Sequence, residues 1–90
     1  MLKHFNITVT GKVQGVFYRA FTKTEALKLG LSGFVRNESN GNVYIEAEGE
    51  IGQLEKFIES CKIGPPKAIV SEVKVTESEL KNFSDFFIKK

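Results

Sequence analysis

Residues 11–19 read GKVQGVFYR. Upstream, Phe5, Ile7 and Val9 alternate with Asn6, Thr8 and Thr10, the period of two of a half-buried strand whose apolar set faces a core. Downstream, from Ala20 to Gly30, the pattern turns helical, with Ala20, Phe21, Thr24, Leu27 and Leu31 toward one side and Lys23 and Lys28 elsewhere; Gly30 is a suitable stop. The quoted stretch therefore carries the backbone from strand into helix. Such a turn leaves the first helical N–H groups without partners, and their combined dipole favours an anion there. Gly15 lets the turn approach a ligand closely. Arg19 adds a planar fork of donors that matches the oxygens of a phosphate or carboxylate two at a time, which a lysine does not. The local reading is a phosphate cradle running from Gln14 through Gly15, Val16, Phe17 and Tyr18 to Arg19.

Beyond this junction the chain alternates between the two periods. Phe34 to Asn37 reads as a short strand, and Ser39-Asn40-Gly41 as a turn whose Asn-Gly pair suits a tight hairpin. In the return strand Val43, Ile45 and Ala47 alternate with Tyr44, Glu46 and Glu48. Ile51, Leu54, Phe57, Ile58 and Cys61 fall at helical spacing, and Gly64-Pro65-Pro66 closes that helix. A strand from about Ala68 to Val75 follows. Its Val70 and Val73 stand three apart, so a bulge interrupts it or both its faces are partly covered. After a polar link over 76–82, Phe83, Phe86, Phe87 and Ile88 suggest a short final strand. The order is β-α-β-β-α-β with an extra C-terminal strand. It predicts an α+β, ferredoxin-like βαββαβ sandwich, two helices on one face of a mostly antiparallel sheet.

The chain has 90 residues, enough for one domain (1–90) with one modest core and no need of staples. Its 41% hydrophobic and 27% charged residues are ordinary for a soluble globular protein, and no apolar run approaches the ~20 residues of a membrane helix. Strand-like alternation begins almost at Met1, leaving no room for a signal peptide, which predicts a cytoplasmic protein; the single Cys61 permits no internal disulfide, in agreement with a reducing compartment. The net charge of +2 is unevenly spread: residues 1–36 hold six basic side chains and one acid, and residues 37–90 seven basic and ten acidic. The basic half contains the cradle, so its field draws small anions to that end. A solvated helix face would produce part of the same asymmetry.

Four segments, GKVQGVFYR (11–19), ALKLGLSGFVRN (26–37), the turn SNG with Val43 beyond it, and GPPKAIVSEV (64–73), together resemble the acylphosphatase family in order and spacing over most of the chain. The resemblance implies a ferredoxin-like fold and hydrolysis of an acyl phosphate to a carboxylate and inorganic phosphate, without metal or cofactor. It implies an arginine and backbone amides that bind the phosphate and an asparagine that orients the attacking water. At the matching positions these are Arg19, the cradle 14–18 and Asn37. The expected partners are a small acyl phosphate and inorganic phosphate as product and inhibitor, with no nucleic acid, no membrane and a monomeric chain. Departures from the family pattern are modest: Tyr18 stands where phenylalanine is usual, Phe34 where tryptophan is common, and the tail FFIKK lacks an aromatic ending. Lys89 and Lys90 would discourage pairing at the last edge.

Taken singly, these residues have plainer readings. Gly11 and Gly15 suit loop punctuation, Arg19 a solvated helix start, and Asn37 the end of a strand. His4 reads as an exposed side chain near the N-terminus and Cys61 as core on the second helix. No cluster of Cys, His or acids has metal-ligand spacing, and no Gly-Lys-Ser/Thr follows the glycines as a P-loop needs. A nucleic-acid-binding module shares the βαββαβ order but stacks bases on aromatics of its open sheet face. Here that face is expected to carry Asn6, Thr8, Thr10, Tyr44, Glu46 and Glu48, a polar and acidic set. A phosphate-binding domain without turnover would use the same cradle; Asn37 favours the enzyme.

Overall fold

The computed structural model describes residues 1–89. Its elements are β1 (Leu2–Lys12), α1 (Tyr18–Lys28), β2 (Ser32–Asn37), β3 (Val43–Glu50), α2 (Ile51–Ile63), β4 (Ile69–Ser78) and β5 (Phe86–Ile88). The strands form one sheet in the order β4-β1-β3-β2-β5, with β2–β5 its one parallel pair. This is the ferredoxin-like arrangement, with β5 added at the edge beside β2. No helix among the described residues is long and apolar enough to cross a membrane.

The period-two strands place Ile7 opposite Ile45, Val9 opposite Val43 and Val35 opposite Ile45, all fully buried. Leu54, Phe57 and Cys61, one face of α2, close over them. Each such large apolar side chain contributes roughly 1.5–3 kcal/mol by leaving water. The valines of β4 resolve into a bulge: Thr10 pairs with Glu72 but Gly11 with Val70, leaving Ser71 as the extra residue. That residue brings Val70 and Val73 onto the same, core-facing side. Gly11 is obligatory there, since at φ 133° a Cβ would run into the backbone oxygen of Ile69.

Helix α1 differs from its expected face. It begins at Tyr18 rather than Ala20, and its buried stripe is Tyr18, Thr22 and Ala26, whereas Ala20, Thr24 and Leu27 are exposed. The buried polar residue is what hides the stripe in the sequence. Thr22 is wholly buried because its hydroxyl donates to Tyr18 O at 2.8 Å, and it and Ala26 are small enough to let the helix sit close on the sheet. Gly30 does end the helix: Leu31 N–H donates to Ala26 O and Gly30 N–H to Leu27 O, a Schellman closure.

The far sheet face is also unlike its sequence reading. Strands β4 and β5 lie at opposite edges, so the chain from Glu79 to Asp85 must cross the sheet on the side away from the helices. It roofs over His4, Glu46 and Glu48, which are 0%, 7% and 7% exposed. His4 is thus a buried residue, not a solvated one. Its Nε2 and Nδ1 lie 2.8 Å from Glu46 Oε1 and 3.0 Å from Glu48 Oε1. Phe83 belongs to this strap rather than to the last strand, with its ring 5.8 Å from that of His4. Lys89 N–H donates to Val35 O at 2.8 Å, and Lys90 lies outside the described residues.

Candidate active site

The loop between β1 and α1 is held at two points by Val13 and Val16, 1% and 6% exposed, with Gln14 and Gly15 raised between them. Gly15 adopts φ 74°, and a Cβ there would meet nothing within 4 Å. Its requirement is conformational, and the space in front of it is open. Phe17, the N-cap of α1, takes φ 65° and ψ 26°, a left-handed conformation uncommon for a bulky residue, with its ring 79% exposed. Strain of this kind costs on the order of 1 kcal/mol and gathers where a loop serves a ligand. No side chain caps the helix, and its first turn contains no acid. The N–H groups of Tyr18, Arg19 and Ala20 therefore keep their donors and the positive end of the helix dipole for the solvent-facing side.

A cleft of about 460 Å³ opens at this helix end, lined by Val13, Gly15, Phe17, Tyr18, Arg19, Ala20, Asn37 and Ile88. Arg19 is half-buried and has no hydrogen bond or ion pair among the described residues. Asn37 enters from the last position of β2. Among the described residues the lining is one-sided in its chemistry: a guanidinium and a carboxamide, apolar walls, and no Asp, Glu, His, Lys or Cys. Tyr18 adds no acid either. Its hydroxyl points into the protein and donates to Cys61 O, and burial drives that phenol far above its usual range. Burial likewise pushes the Cys61 thiol up to about 12, which leaves it inert.

The residues singled out in the sequence are thus divided. Gly15, Phe17, Tyr18, Arg19 and Asn37 meet in the cleft; Val16 turns its side chain into the core. The Gln14 side chain crosses instead to the β2–β3 turn, where Nε2 donates to Glu38 O at 2.7 Å and Asn42 O at 2.9 Å. Val13, Ala20 and Ile88 were not anticipated as lining residues. Val13 and Ala20 follow from the loop's own path. Ile88 arrives because β5 runs parallel to β2, with Val35 opposite Ile88, and no local pattern in FFI states which edge that strand will join.

Comparison with known proteins converges on one family. A family model described as acylphosphatase matches residues 5–88. An acylphosphatase of Archaeoglobus fulgidus is 46% identical over 80 residues, covering 89% of this chain and 90% of that protein. One of Acaryochloris marina is 51% identical over 80 residues, covering 89% and 86%. The crystal structure of acylphosphatase from Bacillus subtilis superposes with a TM-score of 0.96 at 42% identity, covering 100% of both chains. The match extends across every strand and helix that shapes the cleft, and with it the chain belongs to the acylphosphatase family.

Proposed function

We propose that the cleft hydrolyses the carboxyl–phosphate bond of small acyl phosphates. In this reading Arg19 and the backbone N–H groups of the 14–19 segment take the phosphoryl oxygens, and the Asn37 amide holds water in line with the bond to be broken. The water oxygen attacks phosphorus and the acyl oxygen departs with the bonding pair as a carboxylate. The proton of the water passes to a phosphate oxygen. Inorganic phosphate, the product, competes for the same donors. Membership of the family supports the activity.

The observation that carries the reading is the composition of the lining among the described residues: one cation, one amide and no acid. A carboxylate leaving group has a conjugate acid of pKa about 4, so it needs no proton to depart. What remains is to neutralise phosphoryl charge and fix the nucleophile, which are electrostatic and positional tasks suited to this residue set. An alkoxide leaving group would need a general acid, and none stands in the lining among the described residues. The proposal includes a monomeric chain, supported by the exposed edge of β4, whose Glu72, Lys74 and Glu77 are charges that oppose strand addition.

The test is an assay of purified protein on an acyl phosphate and on an aryl phosphomonoester, each with and without chelator. Rapid release of phosphate from the acyl phosphate alone, unchanged by chelator, is expected. Activity lost in chelator and restored by a divalent ion, or equal cleavage of the phosphomonoester, overturns it.

A further inference from the structure

Gln14 has two carbonyl partners on a segment distant from it in sequence, and those carbonyls are already satisfied. Glu38 O accepts from Gly41 N–H at 3.1 Å, and Asn42 O accepts from Glu38 N–H at 2.8 Å. The β2–β3 turn therefore closes on its own backbone. The Gln14 amide nitrogen occupies the second lone pair of each oxygen, at 2.7 and 2.9 Å, and contributes nothing the turn needs in order to form. What it does fix is distance. Gln14 precedes Gly15 in the cradle loop, and Glu38 follows Asn37, so one side-chain amide fastens the phosphate-binding loop to the residue that brings the other polar group into the cleft.

We infer that Gln14 is a positioning residue for Asn37: its two hydrogen bonds set the separation between the cradle and the Asn37 amide, and turnover depends on them while phosphate binding does not. The inference rests on the proposed role of Asn37 in orienting water. Phosphate meets Arg19 and the backbone N–H groups of the 14–19 segment, whereas the Gln14 side chain turns away to the β2–β3 turn, so the ground-state anion site should survive the loss of that side-chain amide. An in-line nucleophile is less tolerant. A misplacement of about 1 Å at a reacting group costs on the order of 10²-fold in rate.

Gln14→Met, which keeps the length and removes both donors, and Gln14→Glu, which keeps the shape and sets an acceptor against two carbonyls, are the variants of choice. Each should lower kcat at least tenfold, with the inhibition constant of inorganic phosphate within about twofold of the parent. Both should remain folded, because each carbonyl retains its backbone donor. The deciding comparison repeats Gln14→Met in an Asn37→Ala background. If Gln14 acts through Asn37, the double variant turns over no more slowly than Asn37→Ala alone. Full kcat in the folded Gln14→Met protein, or the same tenfold loss in both backgrounds, overturns the inference. Unimpaired turnover in Asn37→Ala itself refutes the role of Asn37 and overturns the inference with it, whereas the other two results overturn the inference alone, so the two failures are told apart.

Discussion

Nε2 of His4 lies 2.8 Å from Oε1 of Glu46, inside a polar network on the sheet face away from the helices. Glu46 also accepts from Lys81 Nζ at 2.9 Å and from the Tyr44 hydroxyl at 2.8 Å. Glu48 accepts from the backbone N–H groups of Lys81 and Phe83 at 2.6 and 3.1 Å. Ionised carboxylates only accept, so the donors of Lys81, Tyr44 and the strap backbone all face oxygens of Glu46 or Glu48, and the Lys81 ammonium brings a positive charge to the pair. Every buried side-chain polar atom among the described residues has a partner. The network is the fastening of the Glu79–Asp85 strap.

His4→Leu should therefore lower stability by about 2 kcal/mol. That is less than the ~3–5 kcal/mol typical of stripping one partner from a buried pair, because both glutamates keep other donors. Turnover per folded molecule should not change, since the cleft lies with α1 on the other side of the sheet. Denaturant midpoints and kcat on the same preparation check both halves; a large fall in kcat at full folding would show that the strap reaches the site.

The same carboxylates set an acid limit. Burial acts to raise Glu46 and Glu48, but hydrogen bonds from Lys81, Tyr44 and His4 to Glu46, and from Lys81, His4 and Phe83 to Glu48, outweigh it and hold both below the usual 4.5. A depressed carboxylate stabilises the fold above its unfolded value and loses that stabilisation as pH falls through its folded value. Stability should thus be steady above about pH 4.5 and decline progressively below it, the decline being shallower in Glu46→Gln. Unfolding midpoints measured from pH 7 to pH 2 on both proteins give the comparison, and parallel curves would count against the network.

Arg19 is the one cation in the cleft lining among the described residues. Arg19→Gln should reduce turnover by at least ~10²-fold and weaken phosphate inhibition with it, as expected on losing a transition-state donor set. Arg19→Lys should recover little, because a point charge does not reproduce the planar fork. Phosphate at one hundred times its dissociation constant should stabilise the parent by about 2.7 kcal/mol and leave Arg19→Gln at its own baseline. Thermal melts with and without phosphate report this directly; an equal shift in both proteins would place the anion elsewhere.

How much of this was legible in the sequence depended on the range of each interaction. Alternation in β1 and β3, the Asn-Gly turn and the Leu54-Phe57-Cys61 stripe are local patterns, and the structure contains them all. The bulge in β4 was readable as two valines at the wrong spacing. His4 was misread because its burial is made by the strap, which meets it only after the chain has crossed the whole sheet. The face of α1 was misread because a threonine that bonds its own backbone counts as polar in a pattern and as filler in a core. In the cleft, Gly15 and Arg19 announced themselves through one short segment. The task of the Gln14 side chain and the arrival of Ile88 depend on the β2–β3 turn and on the strand order, which no local window holds.

The central claim is that Asn37 serves the transition state while Arg19 and the backbone hold the phosphate. Measuring kcat, the phosphate inhibition constant and the unfolding midpoint on Asn37→Ala tests it most directly. The account predicts a steep fall in kcat, at least ~10²-fold, with the inhibition constant nearly unchanged, the pattern of an interaction made mainly in the transition state. Near-normal turnover per folded molecule, accompanied by a loss of about 1 kcal/mol in stability, would contradict it and make Asn37 only the last residue of β2.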